Sequence, residues 1–388
     1  MIKMIYLDNA ATTPLSQEVF AAMEPFFSLE YGNPSSVHQA GRRARQAVEQ
    51  ARRSVAGWLS VMPDEVVFTS GGTESIHSAL LGAYLAGASA GRRHIVTTAV
   101  EHHAVLHTCE FLESLGATVT VVPVQKDGQV RVEDILLALQ TDTVVVSIMA
   151  VNNELGTILP IREIALAVKK VDSDILVHSD MVQWAGAPWF ALSDSGLDLA
   201  SFSAHKLHGP KGVGALFVRR KTPLTSVLRG GEQEKKRRAG TENVPGIVGF
   251  GAAAAKLARE HDDYLDKLKA VRDLFWSEIR NMMPGVVRNS PEDGAPGILN
   301  VAFSGIKSET LLIRLDLAGV MASAGSACSA GSIEPSHVLL ACGMTAKQVQ
   351  ESVRFSFSTM NTPQEAVEAA RRVREAVEFL RNRQSSNH

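Results

Sequence analysis

Between residues 60 and 220 the chain alternates short β-branched and apolar runs with helix-length segments, and few folds accept that pattern. The runs are EVVFTS (65–70), HIVTT (94–98), TVTVVP (118–123), TVVVSIMAV (143–151), DILVHS (174–179), LDLASFS (197–203) and GALFVRR (214–220). Most lack a polar alternation, as expected of strands buried on both faces. Helical patterns such as 103–115 and 160–170 lie between several of them. The pattern predicts an α/β domain with a mostly parallel central sheet. Runs 197–203 and 214–220 are too close for an intervening helix, so they are expected to pair antiparallel.

The texture changes after residue 250. A long helical stretch (250–282) leads to GILNVAF, a helical SETLLIRLDLAG and the strand SVRFSFS (352–358). The last helix is predicted to start with Thr362 as N-cap, Pro363 at its first position and Glu365 closing a capping box. Its apolar stripe reads Val367, Ala370, Val373, Val377 and Leu380. The chain thus divides into a large domain over 1–250 and a small α+β domain over 251–388. At 388 residues, 45% apolar, it is long enough to bury a core without disulfides or metals. A net charge of −2 without long single-sign runs gives no sign of a nucleic-acid or membrane-surface partner. Three cysteines without a CxxC pair argue against a disulfide framework or a thiolate zinc site. The start MIKMIYLDNAATTP has no apolar signal-peptide region, and no stretch is long enough to span a bilayer, so a cytoplasmic location is expected.

In open α/β sheets ligands bind beyond the carboxyl ends of the strands, and the polar motifs cluster there. VVFTSGGTES runs from a strand through two glycines into a helix, either an anion cradle built on Gly72 and Thr73 or simply a tight turn. TTAVEHHAVL puts His102 and His103 past another strand end; His103 and His107 are four apart, but the glutamate of HExxH is missing. VNNELG and VHSDMVQWAG end apolar runs on Asn153, Asp180 and Gln183. Asp180 would suit a protonated pyridine nitrogen, or else cap a helix. FSAHKLHGPKG brings Lys206 out of a strand beside His205, as a Schiff-base amine or an ordinary loop lysine. Together these offer a phosphate cradle, a ring-stacking histidine, a carboxylate for a pyridinium and an amine for an aldehyde. That is the recognition set of pyridoxal 5'-phosphate (PLP). The stretch SAGSACSAGS (323–332) sets Cys328 among small side chains, which alone reads as a turn around an inert thiol.

From YLDNAATTP and GNPSS through FTSGGTES, EHHAVL, VNNELG, FSAHKLHGPKG and RAGTEN to GSACSAGSIEPSHV and VRFSFS, the sequence resembles the PLP-dependent cysteine desulfurases of the NifS/IscS type, in the class V aminotransferase group. The resemblance implies the large PLP-binding domain of that family, with a seven-stranded, mostly parallel sheet that the seven runs above agree with, plus a small α+β domain, assembled as a homodimer. It makes Lys206 the lysine bonded to the cofactor aldehyde, His102 the ring-stacking residue and Asp180 the partner of the ring nitrogen. Gln183 and Asn153 would bond the phenolic oxygen, and Gly72, Thr73, Ser203 and His205 would cradle the phosphate. Thr241 would reach the partner subunit's phosphate, and Arg354, otherwise an ordinary salt-bridging arginine, would clamp the substrate carboxylate through its planar fork. The implied reaction turns L-cysteine into L-alanine and leaves sulfur as a persulfide on Cys328, for a sulfur-acceptor protein of iron–sulfur assembly or thiolation. A mobile loop would let that thiol take sulfur in the pocket and hand it on. Where the family often has two asparagines after TES, this chain has Ile76-His77, which predicts altered packing with the chemistry kept. With RNRQSSNH soon after the last helix, the longer C-terminal extension that docks the scaffold protein in some members is not expected, which leaves other sulfur acceptors open. An aminotransferase of the same class would not need Cys328, and a selenocysteine lyase would use nearly the same site.

Overall fold

The computed structural model describes residues 3–325 and 335–385. Strand β1 (Ile5–Tyr6) opens the described chain. Then follow β2 (Val66–Thr69), β3 (His94–Thr98), β4 (Thr118–Val122), β5 (Thr143–Ser147), β6 (Leu176–Asp180), β7 (Leu199–Ser203) and β8 (Gly214–Val218). These last seven form one sheet, ordered β2-β8-β7-β6-β5-β3-β4. Pairs within β3 to β7 and the β3–β4 pair are parallel, while β8 runs antiparallel to both neighbours. Leu199 lies opposite Val218 and Ser203 opposite Gly214, so the last two runs pair as their spacing predicts. Six of the strands are buried at every residue; only β4, at the sheet edge, exposes positions such as Thr118 and Val121. Burial on both faces is the physical reason for their unbroken apolar runs.

A second layer system follows, with β9 (Val286–Arg288), β10 (Ile298–Phe303), β11 (Val320–Met321) and β12 (Ser352–Ser356). Strands β12, β10 and β9 form an antiparallel sheet in that order, and β11 pairs parallel with β1. Ile5 and Leu7 therefore join Phe275, Leu299, Phe303 and Phe355 in the core of this unit. The helix Val244–Met282 serves both cores: Phe250 and Leu257 face the large sheet, Leu268, Phe275 and Ile279 the small one. It starts before residue 250, with the Asn243 side chain accepting from the Gly246 N–H. The helix Gln39–Leu59 packs against it so closely that a Cβ on Gly251 would lie 2.6 Å from Cα of Ala51.

In the final helix, Pro363–Ser385, Thr362 and Glu365 exchange reciprocal hydrogen bonds of 3.1 Å, a capping box. Its buried face is carried by Ala366, Ala369, Ala370, Val373, Ala376 and Val377. Val367 is 42% exposed, which corrects the stripe expected from spacing. The helix packs mainly along the helix Val244–Met282, with Ala366, Ala369 and Ala370 on its buried side and Val367 outside it. No helix among the described residues is long and apolar enough to cross a membrane.

Candidate active site

The carboxyl ends of β2, β6 and β7 open onto one cavity of about 180 Å³. Ten of the residues singled out from the sequence line it: Gly72, Thr73, His102, Asn153, Asp180, Gln183, Ser203, His205, Lys206 and Arg354. Thr241 does not; it is exposed on the turn before the long helix. Cys328 lies outside the described residues.

On the β2 side the chain turns through Gly71 into the helix Gly72–Ala88, whose first turn has no side-chain cap. Its leading N–H groups are thus left for an anion, with the hydroxyls of Thr73 and Ser203 on the same cavity wall. A Cβ on Gly72 would come within 2.7 Å of Cγ2 of Val182, so any larger residue there must push Val182 aside. Opposite, His102 caps the helix His103–Ser114, its Nδ1 accepting from the Ala104 N–H at 3.1 Å. Burial, helped by the charge of Lys206, lowers the His102 pKa to about 4, so its ring is neutral where it lines the cavity.

Asp180 ends β6 almost wholly buried, Oδ1 accepting from the Val182 N–H at 3.0 Å. Burial raises its pKa to about 6, with the hydrogen bond and Lys206 opposing. A buried carboxylate calls for a cation. Lys206 follows β7, and its Nζ donates to the carbonyl oxygens of Ala10 (2.5 Å) and Ala11 (2.9 Å). The same N-terminal segment accepts from Gln183 Nε2 at 2.8 Å, and its Thr12 hydroxyl meets His205 Nδ1 at 3.1 Å. His205 is likewise held down to about 4 by burial and by Lys206. An uncapped helix end, a buried carboxylate, a neutral imidazole and an amine in one cavity fit phosphate, ring nitrogen, ring face and aldehyde of PLP.

Arg354, in β12, enters from the small sheet. Its Nη2 pairs with Asp8 at 2.9 Å, and its Nη1 donates to the Asn153 carbonyl at 2.8 Å. A guanidinium has five N–H donors, so the fork retains donors for a second anion in the cavity.

Several residues of this environment escaped the sequence reading. Asp8 and the Ala10 and Ala11 carbonyls belong to the LDNAATTP stretch, to which no role was attached. Glu101 is fully buried next to His102, its Oε1 accepting from the Thr98 hydroxyl (2.7 Å) and the Met149 N–H (3.0 Å). Burial, aided by the negative charge of Asp180, pushes its pKa up to about 8. Neither residue carries a periodicity signal; only the fold reveals that they are enclosed. Of the pair after TES, Ile76 lines the cavity, whereas His77 leans on the Phe111 ring and the Thr108 hydroxyl.

Comparison with known proteins identifies the family. The family model for class V aminotransferases matches residues 5–369. The chain is 44% identical to a cysteine desulfurase IscS of Dictyoglomus turgidum, over 94% of this chain and 92% of that protein. It is 42% identical to the cysteine desulfurase NifS of Azotobacter vinelandii, over 97% of this chain and 94% of that one. A solved NifS-like protein superposes with a TM-score of 0.91 at 37% identity, covering 97% of this chain and all of the other. With a cavity whose donors suit PLP and relatives that match almost end to end, the chain belongs to the class V aminotransferases, among the PLP-dependent cysteine desulfurases of the IscS and NifS type.

Proposed function

We propose that this cysteine desulfurase works through Lys206, His102, Asp180 and Arg354 in the cavity and through Cys328 as sulfur acceptor. The observation that carries the reading is the convergence of Lys206, Asp180 and His102 from three strand ends onto one cavity that Arg354 enters from the other sheet. Asp180 would hold the ring nitrogen of PLP, His102 its face, Gln183 and Asn153 its phenolic oxygen. Gly72, Thr73, Ser203 and His205 would hold its phosphate. Bound there, PLP supplies an electron sink for charge developing at the substrate Cα.

The chain's own groups do the rest. Arg354 receives the substrate carboxylate in two parallel N–H···O bonds, with Asp8 fixing the guanidinium. Lys206 Nζ takes the Cα proton and returns it, as an amine positioned in the cavity can do. The neutral ring of His102 can relay a proton without first losing one. The Sγ thiolate of Cys328 attacks the substrate sulfur. The carbon–sulfur bond breaks, a sulfur–sulfur bond forms, and the carbon takes up a proton, so that L-cysteine plus the enzyme thiol become L-alanine plus the enzyme persulfide. The carbon is reduced and the sulfur oxidised in the same step, so no outside oxidant is needed.

A homodimer fits an exposed Thr241, available to a second copy's phosphate site, and the exposed apolar side chains Phe27, Leu29 and Tyr31. The persulfide would pass to a protein of iron–sulfur assembly or thiolation in the cytoplasm. Incubation with L-cysteine tests the reading directly: alanine should appear with one extra sulfur on the Cys328 peptide. Alanine formed with the sulfur on Cys109 or Cys342 instead would remove Cys328 from its role.

A further inference from the structure

The loop between β8 and the helix Val244–Met282 carries Thr241, and three residues in it take a backbone conformation that side chains disfavour. Glu234, Lys235 and Lys236 have φ of +46°, +56° and +67° in succession. Non-glycine residues in this region are strained and persist only where their surroundings fix them. Lys235 and Lys236 are exposed, so the side chain that can fix the bend is that of Glu234, which is 7% exposed.

Arg52, on the helix Gln39–Leu59, holds it and is itself buried. Its Nη2 and Nη1 donate to Glu234 Oε1 and Oε2 at 2.7 Å each, and Oε2 also accepts from the Phe68 N–H of β2 at 2.9 Å. Arg52 Nη1 donates in addition to the Val66 carbonyl at 2.8 Å. A buried ion pair is poor evidence for stability, because taking both charges out of water offsets most of their attraction. What the pair does impose is one geometry, and here that geometry bends the loop.

From the bend onward the chain is pinned up to Thr241. Arg238 forks onto the Glu74 carboxylate, Nε to Oε1 at 2.9 Å and Nη2 to Oε2 at 3.3 Å. The Ala239 N–H donates to the Leu228 carbonyl at 3.1 Å, and the Gly240 N–H to Gln233 Oε1 at 3.2 Å. Beyond Thr241, Glu242 is buried with Arg45 Nη1 3.2 Å from its Oε1, and Asn243 caps the long helix. Thr241 is thus the exposed apex of a loop held on both flanks, and it does not line the cavity of its own chain.

We propose that Glu234, gripped by Arg52, is a positioning residue for the cofactor site of a second copy: the buried pair sets the bend that presents Thr241 across the subunit boundary. The proposal rests on the reading of Thr241 as a group that reaches a second copy's phosphate. A preset loop binds without first having to be ordered, so loss of the pair weakens the neighbouring site and spares the chain's own.

The test titrates apoprotein with PLP, following the absorbance of lysine-bound cofactor, with dimer content read by sedimentation and folding by Tm. The apolar pair Arg52→Met/Glu234→Leu removes both charges, so no buried charge is left unpaired. It should keep the dimer and a Tm near the parent's, yet raise half-saturation about ten- to a hundredfold, the worth of one hydrogen bond to a charged group. Thr241→Ala should raise it as much, and adding the apolar pair to Thr241→Ala should raise it no further, since both act through one contact. Direction is read in mixed dimers in which one chain carries Lys206→Ala, so that only the other chain's site reports. The apolar pair on the Lys206→Ala chain should weaken the reporting site; on the reporting chain it should leave that site at the parent value. If the apolar pair does not fold, Glu234→Gln is read the same way. Parent half-saturation in the pair variant overturns the proposal. So does a loss that follows the reporting chain, or losses that multiply with Thr241→Ala. Thr241→Ala at the parent value, or a monomeric parent, refutes the reading beneath and the proposal with it. A weakened Thr241→Ala beside an unaffected pair variant refutes this inference alone.

Discussion

Lys206 sits where the N-terminal segment meets the end of β7, and its amine is held by two carbonyl oxygens within the cavity. Replacing it with alanine should abolish the absorbance of lysine-bound cofactor and slow alanine formation about a hundred- to ten-thousandfold, the range expected for a lost general acid–base group. An unchanged spectrum would take Lys206 out of the reaction. The buried titratable groups make a second prediction, on the stability of the protein without cofactor. His102, His178 and His205 have folded pKa values of about 4, about 3 and about 4. All lie below the ordinary histidine value of about 6.5, so the unfolded chain binds protons first and stability falls as pH drops from about 6.5 towards 4. Glu101 is the opposite case. Its folded value of about 8 means the protonated form stabilises the fold, and that contribution is lost as pH rises from the usual carboxylate range through 8. Tm of the cofactor-free protein should therefore peak near about pH 6.5. Glu101→Gln should flatten the alkaline side and leave the acid side in place. A variant whose alkaline side is as steep as the parent's would assign that loss to other groups. Lys206 and Asp180 were legible in the sequence because a charged residue closing an apolar run is conspicuous, whereas Arg354, in the middle of SVRFSFS, was marked only by the family resemblance. Glu101 and Asp8 were not legible, since an acidic residue beside a turn looks solvated until the fold encloses it, and nothing near Glu234 in the sequence marks Arg52 as its partner.

Elements differ in how much of themselves they declare. The buried strands of the large sheet were readable because burial on both faces demands unbroken β-branched runs. The two-residue strands β1 and β11 exist only through each other, and so short a stretch has no period to read. The final helix announced its start through Thr362, Pro363 and Glu365 but misled on its buried face, because small alanines at 366 and 369 carry the packing against the helix Val244–Met282 while the larger Val367 faces away. Thr362→Ala should cost about 1 kcal/mol by denaturant unfolding, the usual value of an N-cap. Asp at the same position, which can still cap, should cost much less. At the cradle, Gly72→Ala puts a methyl group 2.7 Å from Val182 Cγ2. It should weaken PLP binding, read as a raised half-saturation when apoprotein is titrated with the cofactor. Equal binding by the variant would mean that Val182 yields and that the close approach is not needed.

At the scale of the molecule, the two cores meet along the helix Val244–Met282, and the cavity receives side chains from both sheets, Arg354 from the small one and the rest from the large one and the N-terminal segment. Relative movement of the two units would therefore shift the carboxylate clamp against the amine. The thiols divide just as clearly. Cys109 and Cys342 are buried, and burial pushes each up to about 12. At pH 7 only about one in a hundred thousand of either is thiolate, so a mild alkylating agent applied to the folded protein should leave both unmodified. Rapid labelling of either would show that the core opens on the timescale of the reagent.

The account turns on Cys328, and one measurement tests it most directly: alanine formation from L-cysteine by PLP-loaded Cys328→Ala beside the parent enzyme, with cofactor absorbance recorded in both. The account predicts that the variant keeps the absorbance of lysine-bound cofactor and its response to L-cysteine, yet produces neither alanine nor protein-bound sulfur above background. Alanine and sulfide released by Cys328→Ala at the parent rate would contradict it.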